Sequence, residues 1–293
     1  MLLLKFPADI RSDFDGYNYL SHIVEVVKRT KNDEVIFDFE QVSFFQGNLC
    51  TIFGVCIEIL RSNKSTFQII NLSNNVETIL RKNYFLVQLG YPEIYDNITT
   101  SIRYMKFDPN DDEGFNTYII KELLDKKDFP SVSPMLYKEI LRNIFEIYEN
   151  ARTHGKCDFI HTCGQYFPKP GNKKLHFTLV DKGINIKENV LRHLGTEVDI
   201  LSTIEWAMIW GNTTKIDKSG GLGLAVIFDF IKLNKGKIQI ISADEYYEFS
   251  NEKVTTIKMD SYFDGTIVTI IFNFNDKNIY SLVNEKNDLL NPF

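Results

Sequence analysis

The residues with the clearest chemical potential are Glu146 and Asn150, which stand four positions apart in a run with helical spacing. On a helix of about 3.6 residues per turn, both side chains project from one face. A carboxylate there can orient a water molecule, and the neighbouring amide oxygen can bind a hard cation such as Mg²⁺, which keeps its other positions for water and phosphate oxygens. The pair alone is ambiguous, because glutamate and asparagine at this spacing also occur on solvated helix faces.

Two later segments carry complementary chemistry. An alternating, strand-like run ends in Asp181 and Gly183, and a glycine-rich turn at residues 220–224 opens an apolar, helix-like run. The turn consists of Gly220, Gly221, Leu222, Gly223 and Leu224. Glycines before a helix leave backbone N–H groups accessible to an anion, and the positive end of the helix adds to the attraction. The pattern therefore indicates a phosphate site together with a carboxylate fixed at the end of a strand.

In this order, the helix with Glu146 and Asn150, the strand end at Asp181 and the glycine turn at residues 220–224 resemble the N box and the two glycine boxes of the GHKL ATPases. That superfamily includes the gyrase ATP domains, histidine kinases and anti-sigma-factor kinases, and the last group is the most similar in texture. The resemblance covers residues 135–275. It implies an α/β sandwich in which a mixed sheet carries helices on one face, with ATP and Mg²⁺ as cofactors.

The resemblance also implies a role for each matching residue. Asn150 would be the Mg²⁺ ligand, and Glu146 would be the general base that activates a water or an acceptor hydroxyl. Asp181 would accept a hydrogen bond from the adenine amine, Gly183 would allow the backbone to approach the base, and Thr266 would assist adenine recognition.

The glycine turn would hold the triphosphate, and Lys215 either neutralises phosphate charge or is a solvated surface lysine. Asn185 occupies the place of a further family glycine. Because asparagine tolerates left-handed backbone angles better than other non-glycine residues, we expect the turn to survive this change. The strand that begins at Thr266 follows Asp264-Gly265, a dipeptide that predicts a hairpin turn.

Residues 1–92 alternate between strand-like and helix-like segments. Strands are predicted at 2–6, 34–39 and 66–70, and helices at 17–29, 50–60 and 75–82. This order predicts a small sheet with mainly parallel central strands, and its texture resembles the STAS domain of anti-sigma-factor antagonists. Phosphorylatable members of that family carry a serine acceptor in a strand-to-helix turn, whereas residues 46–49 read Gln-Gly-Asn-Leu. The resemblance thus implies a binding or packing module that is not phosphorylated at this turn.

Composition excludes several classes of protein. The chain has 293 residues, 44% of them hydrophobic and 25% charged, which is ordinary globular composition with enough length for two domains. A net charge of −6 argues against nucleic-acid binding by bulk electrostatics. The four cysteines include no CxxC pair and predict neither a disulfide framework nor a zinc site. Without an apolar run of roughly 18 residues or a leader pattern, we expect a cytoplasmic protein that does not insert into membranes.

We therefore expect a STAS-like domain at residues 1–92, a connecting segment at 93–134 that partly joins the ATPase domain, a GHKL domain at 135–275 and a polar tail at 276–293. In the connection, the acidic cluster at residues 111–113 predicts a solvated loop before a helix at 117–124.

The expected function is a regulatory one. It consists of slow Mg²⁺-dependent ATP hydrolysis or phosphoryl transfer to a protein serine or threonine, with a regulatory protein as partner. A homodimer is compatible with it. A histidine kinase is disfavoured, because no phosphoacceptor histidine box precedes the ATP domain. The alternative is an ATP-gated conformational switch or protein-binding module with little or no turnover.

Overall fold

A three-stranded and a five-stranded β-sheet, with helices packed on them, form a mixed α/β fold. The computed structural model describes residues 1–195, 202–209, 225–282 and 285. The strands are β1 (Leu2–Lys5), β2 (Asp9–Ile10), β3 (Glu34–Asp38), β4 (Phe44–Phe45), β5 (Thr66–Ile70), β6 (Ser101–Phe107), β7 (Ser131–Val132), β8 (Ile160–Phe167), β9 (Lys174–Asp181), β10 (Lys237–Ser250), β11 (Lys253–Asn273) and β12 (Ile279–Tyr280). The helices are α1 (Phe14–Arg29), α2 (Cys50–Ser62), α3 (Asn74–Lys82), α4 (Asp112–Tyr118), α5 (Pro134–Asn150), α6 (Ile186–Leu194), α7 (Thr203–Met208) and α8 (Ala225–Asn234). None of the helices in these ranges is long and apolar enough to cross a membrane.

The N-terminal unit, residues 1–82 from β1 to α3, contains a parallel three-stranded sheet in the order β1, β3, β5. Parallel strands need crossover connections, and α1 and α2 supply them. Asp13 starts α1 by accepting a hydrogen bond from the Gly16 N–H at 3.0 Å. Val35 and Phe37 of the central strand are fully buried in a core that α1 and α2 share. The predicted strands and helices are all present within a few residues, so the parallel sheet expected from the sequence is confirmed.

The large sheet has five strands in the order β10, β11, β9, β8, β6, and every neighbouring pair is antiparallel. The expectation of a mixed sheet is therefore wrong for this sheet, although α5 and α8 pack on a single face of it. Its strands are apolar on both sides: Leu179 and Val268 face a core formed with α5 and α8, whereas Val180 and Ile267 face the N-terminal unit. The second face is buried because α1 and α2 lie across it.

The face of the large sheet that contacts the N-terminal unit, called here the docking face, carries polar residues at its centre. Gln239, Thr269 and Thr178 are register neighbours on three adjacent strands, and all are buried. Tyr17 of α1 donates to Thr269 Oγ1 at 2.7 Å, and Asn48 Nδ2 donates to Thr178 Oγ1 at 2.8 Å. The two threonine hydroxyls lie 2.8 Å apart. Since buried polar groups are costly without partners, this network fixes one docking position for the N-terminal unit.

The turn at residues 46–49 lies at the same interface. The Gly47 N–H donates to Gln165 Oε1 at 2.6 Å, and the Gln46 amide lies 2.7 Å from His176 Nδ1. Gln46 and Asn48 are almost completely buried. In this chain the turn therefore contacts the large sheet, which agrees with the expectation of a packing module.

Acid should weaken this interface through His161, which is 2% exposed and hydrogen-bonded to the Tyr104 hydroxyl at 2.8 Å. Burial, with a contribution from Lys106, lowers the pKa of His161 to about 3. In the unfolded chain, His161 takes up a proton near its ordinary pKa of 6.5. The neutral ring thus stabilises the fold fully above pH 6.5, and the contribution is lost as the pH falls toward 3. Between pH 7 and 4.5, the free energy of unfolding should fall by about 2 to 3 kcal/mol more in the wild type than in His161→Gln.

Urea unfolding of both proteins at the two pH values measures this difference. Comparing the variant with the wild type cancels the contribution of Asp181, whose pKa is shifted in the opposite direction. His22→Gln, at an exposed position of α1, is the matched control and should follow the wild type. Equal pH dependence in the wild type and His161→Gln would contradict the expectation.

The hairpin between β10 and β11 turns at Asn251 and Glu252, which have positive φ angles of 51° and 62°. The predicted turn at Asp264-Gly265 is wrong, because both residues lie inside β11. Gly265 has a different function. It adopts φ of +114°, and a Cβ atom there would lie 2.2 Å from the Asp181 carbonyl oxygen. Glycine is needed for close approach of two strands and not for a chain reversal.

The acidic cluster at residues 111–113 is largely exposed, as expected, but it forms the start of α4 and not a loop. Asp111 accepts a hydrogen bond from the Gly114 N–H at 3.0 Å, and Asp112 forms an ion pair with Arg152 at 3.0 Å. Carboxylates at the first turn satisfy helix N–H groups and complement the helix dipole. The helix expected at 117–124 therefore begins at Asp112, and its residues Ile119–Leu124 form a π-helical turn.

Part of the segment expected as a polar tail is folded. β12 pairs in parallel with β7, and Tyr280 is buried with its ring 5.2 Å from that of Phe230. Ser133, which caps α5, also donates to Glu285 at 2.6 Å. Through these contacts Glu285 is bonded to the start of α5, the helix that carries Glu146.

Candidate functional site

Helix α5 carries a polar face formed by Asn143, Glu146 and Asn150, at spacings of three and four residues. Pro134 starts the helix behind a Ser133 cap, and the helix ends at Asn150. Glu146 and Asn150 are half-buried, which is consistent with the expectation that they share one side of a helix. The chain then continues into the π-helical turn Ala151–Gly155, a feature that is frequent at functional sites.

The start of α8 lies against this face. The Asn143 side chain is buried, and its Oδ1 accepts a hydrogen bond from the Ile227 N–H at 3.0 Å. Asn143 thus supplies a buried acceptor for a backbone N–H of α8. A polar side chain in an apolar helix is only a weak sequence signal for this residue, and its partner is 84 positions away. The contact brings the beginning of α8 next to the helix that carries Glu146 and Asn150.

Asp181 ends β9 and is only 3% exposed. Its Oδ1 accepts a hydrogen bond from the Gly183 N–H at 3.0 Å, and the Thr266 N–H also donates to the carboxylate. Burial raises the pKa of Asp181 to about 7, and the two N–H donors offset only part of this effect. The site therefore holds a carboxylate whose charge is incompletely compensated. A ligand that donates a further hydrogen bond would stabilise the ionised form.

Three glycines allow the backbone to close around Asp181. A Cβ atom on Gly183 would lie 2.1 Å from the Gly155 carbonyl oxygen, and one on Gly155 would lie 3.0 Å from Asp181 Oδ1. The Gly155 oxygen also accepts a hydrogen bond from the Ile184 N–H at 2.6 Å. Gly265 approaches from the third side. Gly155 thus joins the end of α5 to the strand end at Asp181, a role that its sequence position did not reveal.

Thr266 is the register partner of Asp181 on β11 and is half-buried. Its hydroxyl lies 3.4 Å from Ser242 Oγ, and Ser242 donates to the Gly265 carbonyl at 2.7 Å. Ser242 also accepts from the Ile186 N–H at 2.9 Å. The predicted site residues Asp181, Gly183 and Thr266 therefore lie together, with Ser242 connecting the β11 side to the start of α6.

Asn185 has an extended backbone with φ of −73° and ψ of 166°, so this position does not require the left-handed angles that asparagine tolerates. Its side chain caps α6 by accepting from the Glu188 N–H at 2.8 Å, and its amide donates to the Tyr262 hydroxyl at 2.8 Å. Asparagine is a preferred N-cap residue, whereas glycine has no side chain to accept this bond. Asn185 thus stabilises the helix that follows the site.

Helix α7 is attached to β10 through a buried carboxylate. Glu245 of β10 is buried and accepts hydrogen bonds from the Ser202 hydroxyl at 2.6 Å and from the Thr203 N–H and hydroxyl at 3.1 and 2.6 Å. Helix α7 itself spans Thr203–Met208 and is capped by the Ser202 hydroxyl, which accepts from the Glu205 N–H at 3.1 Å. The predicted phosphate turn at residues 220–224 and Lys215 lie outside the described residues.

Among the described residues, no group of three or more His, Cys, Asp or Glu side chains is arranged to hold a metal. A Mg²⁺ ion bound through one amide oxygen, phosphate oxygens and water does not need such a group. The half-buried Asn150 amide on the polar face of α5 is compatible with that role.

A scan against models of known protein families gave no match, and a search of curated proteins gave no significant match. The functional interpretation of the site therefore depends on its residues and their geometry.

Proposed function

We propose that this chain is an ATP-binding regulatory protein of the cytoplasm, with a GHKL-like nucleotide site joined to a STAS-like N-terminal unit. The observation that carries the proposal is the buried Asp181 carboxylate, enclosed by the glycine contacts of Gly155, Gly183 and Gly265. A fixed, desolvated acceptor at a strand end suits the exocyclic amine of adenine, and the glycines allow the backbone to hold that acceptor in place. In this proposal the phosphates lie beside the polar face of α5 and the start of α8, which the contact between Asn143 and Ile227 brings together.

The chemistry assigned to the chain is simple. Glu146 takes the proton from an attacking water or a protein hydroxyl, whose oxygen bonds to the γ-phosphorus while the bond to the bridging oxygen breaks and ADP leaves. Asn150 would hold Mg²⁺, which neutralises phosphate charge when bound. The glycine turn at residues 220–224 and Lys215 complete the phosphate site in this proposal, because backbone N–H groups and a cation stabilise the transferred group.

Replacing Glu146 with alanine should abolish phosphate release without abolishing nucleotide binding. A positioned general base contributes roughly 100- to 10,000-fold to a rate, so we expect a loss of at least about 100-fold in kcat. Calorimetric titration with Mg·ATP would measure binding, and phosphate release would measure turnover. Glu149→Ala is the matched control, since Glu149 is on the same helix but forms an ion pair with Arg152 at 2.8 Å.

The outcomes separate three cases. Retained binding with lost turnover in Glu146→Ala supports catalysis, and absence of ATP binding by the wild type overturns the proposal. ATP binding without turnover in either protein supports the second candidate, an ATP-gated switch. One observation favours that candidate: α1 of the N-terminal unit contacts β11 two residues before Thr266, the register partner of Asp181, with Lys28 2.5 Å from Asp264.

A further inference from the structure

The part of β11 before Thr266 lies between the N-terminal unit and the candidate nucleotide site. Met259 and Phe263 are buried in the core that contains α1 and α2. In the described part of the chain, β9 pairs with β11 from Thr266 to Asn273, so residues 259–264 lie beyond that ladder. On the β9 side of this segment the N-terminal unit therefore supplies contacts in place of a strand, whereas β10 pairs with β11 on the other side, with Ala243 opposite Phe263.

Asn18 of α1 provides the most specific of these contacts. Its Oδ1 accepts hydrogen bonds from the Asp260 and Ser261 N–H groups, both at 3.2 Å, and from the Ser261 hydroxyl at 2.8 Å. The Ser261 hydroxyl also lies 2.9 Å from the Asn18 carbonyl oxygen. One side chain thus satisfies backbone donors of two successive strand residues. At the other end of α1, Lys28 forms its ion pair with Asp264, the residue before Gly265.

The same segment also contacts residues around Asp181. The Tyr262 hydroxyl accepts from Asn185, which caps α6, and Gly265 packs against the Asp181 carbonyl. The next residue, Thr266, donates its N–H to the Asp181 carboxylate. A shift of this segment away from α1 would therefore move two groups that define the surroundings of Asp181.

We infer that Asn18 and Lys28 are positioning residues that hold β11 in the register required for adenine recognition by Asp181. The inference depends on the proposed function, because it assigns regulation of that same nucleotide site to the N-terminal unit. The coupling is reciprocal: a nucleotide that orders Gly265 and Thr266 strengthens the contact of the segment with α1. Asn18 and Lys28 would act through β11 without touching the nucleotide.

The test compares nucleotide affinity in the full chain of the wild type, Asn18→Ala, Asn18→Asp and Lys28→Ala, with ATP and GTP titrated separately in the presence of Mg²⁺. Asn18→Ala should weaken ATP binding by about tenfold, within the range found for residues that couple sites without contacting ligand. It should reduce the preference for ATP over GTP, because that preference depends on the geometry at Asp181. Asn18→Asp retains the acceptor oxygen and should restore most of the affinity. Lys28→Ala should have a smaller effect, since exposed ion pairs contribute little.

Arg29→Ala is the matched control, because Arg29 is an exposed neighbour of Lys28 on α1, and it should bind both nucleotides like the wild type. Circular dichroism and urea unfolding would verify that Asn18→Ala folds. Hydrogen exchange supplies a second readout, in which ATP should increase the protection of residues 260–264 in the wild type and less so in Asn18→Ala. Failure of the wild type to bind ATP would refute the proposed function. ATP binding with unchanged affinity and nucleotide preference in a folded Asn18→Ala would refute the positioning role alone.

Discussion

Asp181→Asn is expected to lose ATP binding by at least about 100-fold while it stabilises the unliganded protein above pH 7. In the wild type, the Gly183 and Thr266 N–H groups donate to the carboxylate. In the proposed function the carboxylate also accepts a hydrogen bond from the adenine amine. The side-chain oxygen of an asparagine can accept from the backbone, but its NH₂ group would then face the adenine amine. Both groups are hydrogen-bond donors, so neither would have an acceptor. Because unpaired polar groups in a buried site are costly, the loss of ATP affinity in Asp181→Asn should be large, as it is for other sites built to hydrogen-bond their ligand.

The stability effect follows from the pKa of Asp181, which burial raises from 3.8 to about 7. Between these values the folded protein keeps a proton that the unfolded chain has released, so the free energy of unfolding falls as the pH rises through this interval. A neutral asparagine does not incur this cost. The variant should be more stable by up to about 4 kcal/mol at pH 8, and the difference should approach zero near pH 4.

Urea unfolding across this pH range, together with ATP titration, checks both parts of the prediction. Asp158→Asn is the matched control, because Asp158 is an exposed carboxylate near the same end of the fold and should change neither quantity. A stability difference that stays constant with pH would show that Asp181 is ionised without cost. Wild-type ATP affinity in Asp181→Asn would remove this residue from base recognition. A functional carboxylate that destabilises its own fold is the expected signature of a binding site.

The sequence was most informative for elements whose pattern is local. The N-terminal strands and helices follow from alternation and helical spacing, and α5 follows from its apolar periodicity together with Glu146 and Asn150. Asp181 and Thr266 could be paired in advance only through the family resemblance, because they are 85 positions apart and meet through strand register. Periodicity predicts that a strand exists, but it does not specify which strand lies beside it.

The docking face was not predictable for the same physical reason. Thr178, Thr269 and Gln239 are polar residues in the middle of strands, where the usual interpretation is a solvent-facing side. Their burial becomes intelligible only when Tyr17 and Asn48, which belong to a different unit, supply hydrogen bonds. Likewise, the dipeptide Asp264-Gly265 favours a hairpin turn by its local sequence. Gly265 is instead required because the Asp181 carbonyl oxygen on the neighbouring strand leaves no room for a side chain. Sequence patterns report local conformation more directly than they report partners.

The second large effect is a loss of stability expected on substitution of Gly54, because α2 packs closely against the large sheet. Glycine in the middle of a helix is destabilising by roughly 0.5 to 1 kcal/mol relative to alanine, so Gly54→Ala would stabilise an isolated helix. In the folded chain, however, a Cβ atom at this position would lie 2.1 Å from the Tyr104 hydroxyl oxygen and 3.0 Å from His161 Nδ1. We expect Gly54→Ala to destabilise the protein by about 3 kcal/mol, near the upper end for overpacked cores, because α2 must move away from the docking face.

Tyr104→Phe in the Gly54→Ala background distinguishes this clash from a general loss of helix packing. The phenylalanine lacks the oxygen atom that the added methyl group on α2 would meet, so the double variant should recover roughly 1 kcal/mol or more relative to the sum of the two single changes. Tyr104→Phe alone removes a hydrogen bond to His161 and should be destabilising by about 1 kcal/mol. Urea unfolding of the four proteins gives the coupling directly. Additive effects would mean that α2 can shift without involving Tyr104, and a stabilising Gly54→Ala would mean that α2 does not pack on the large sheet as described. Non-additive destabilisation would instead establish that the N-terminal unit is held against the large sheet at a distance that only glycine permits.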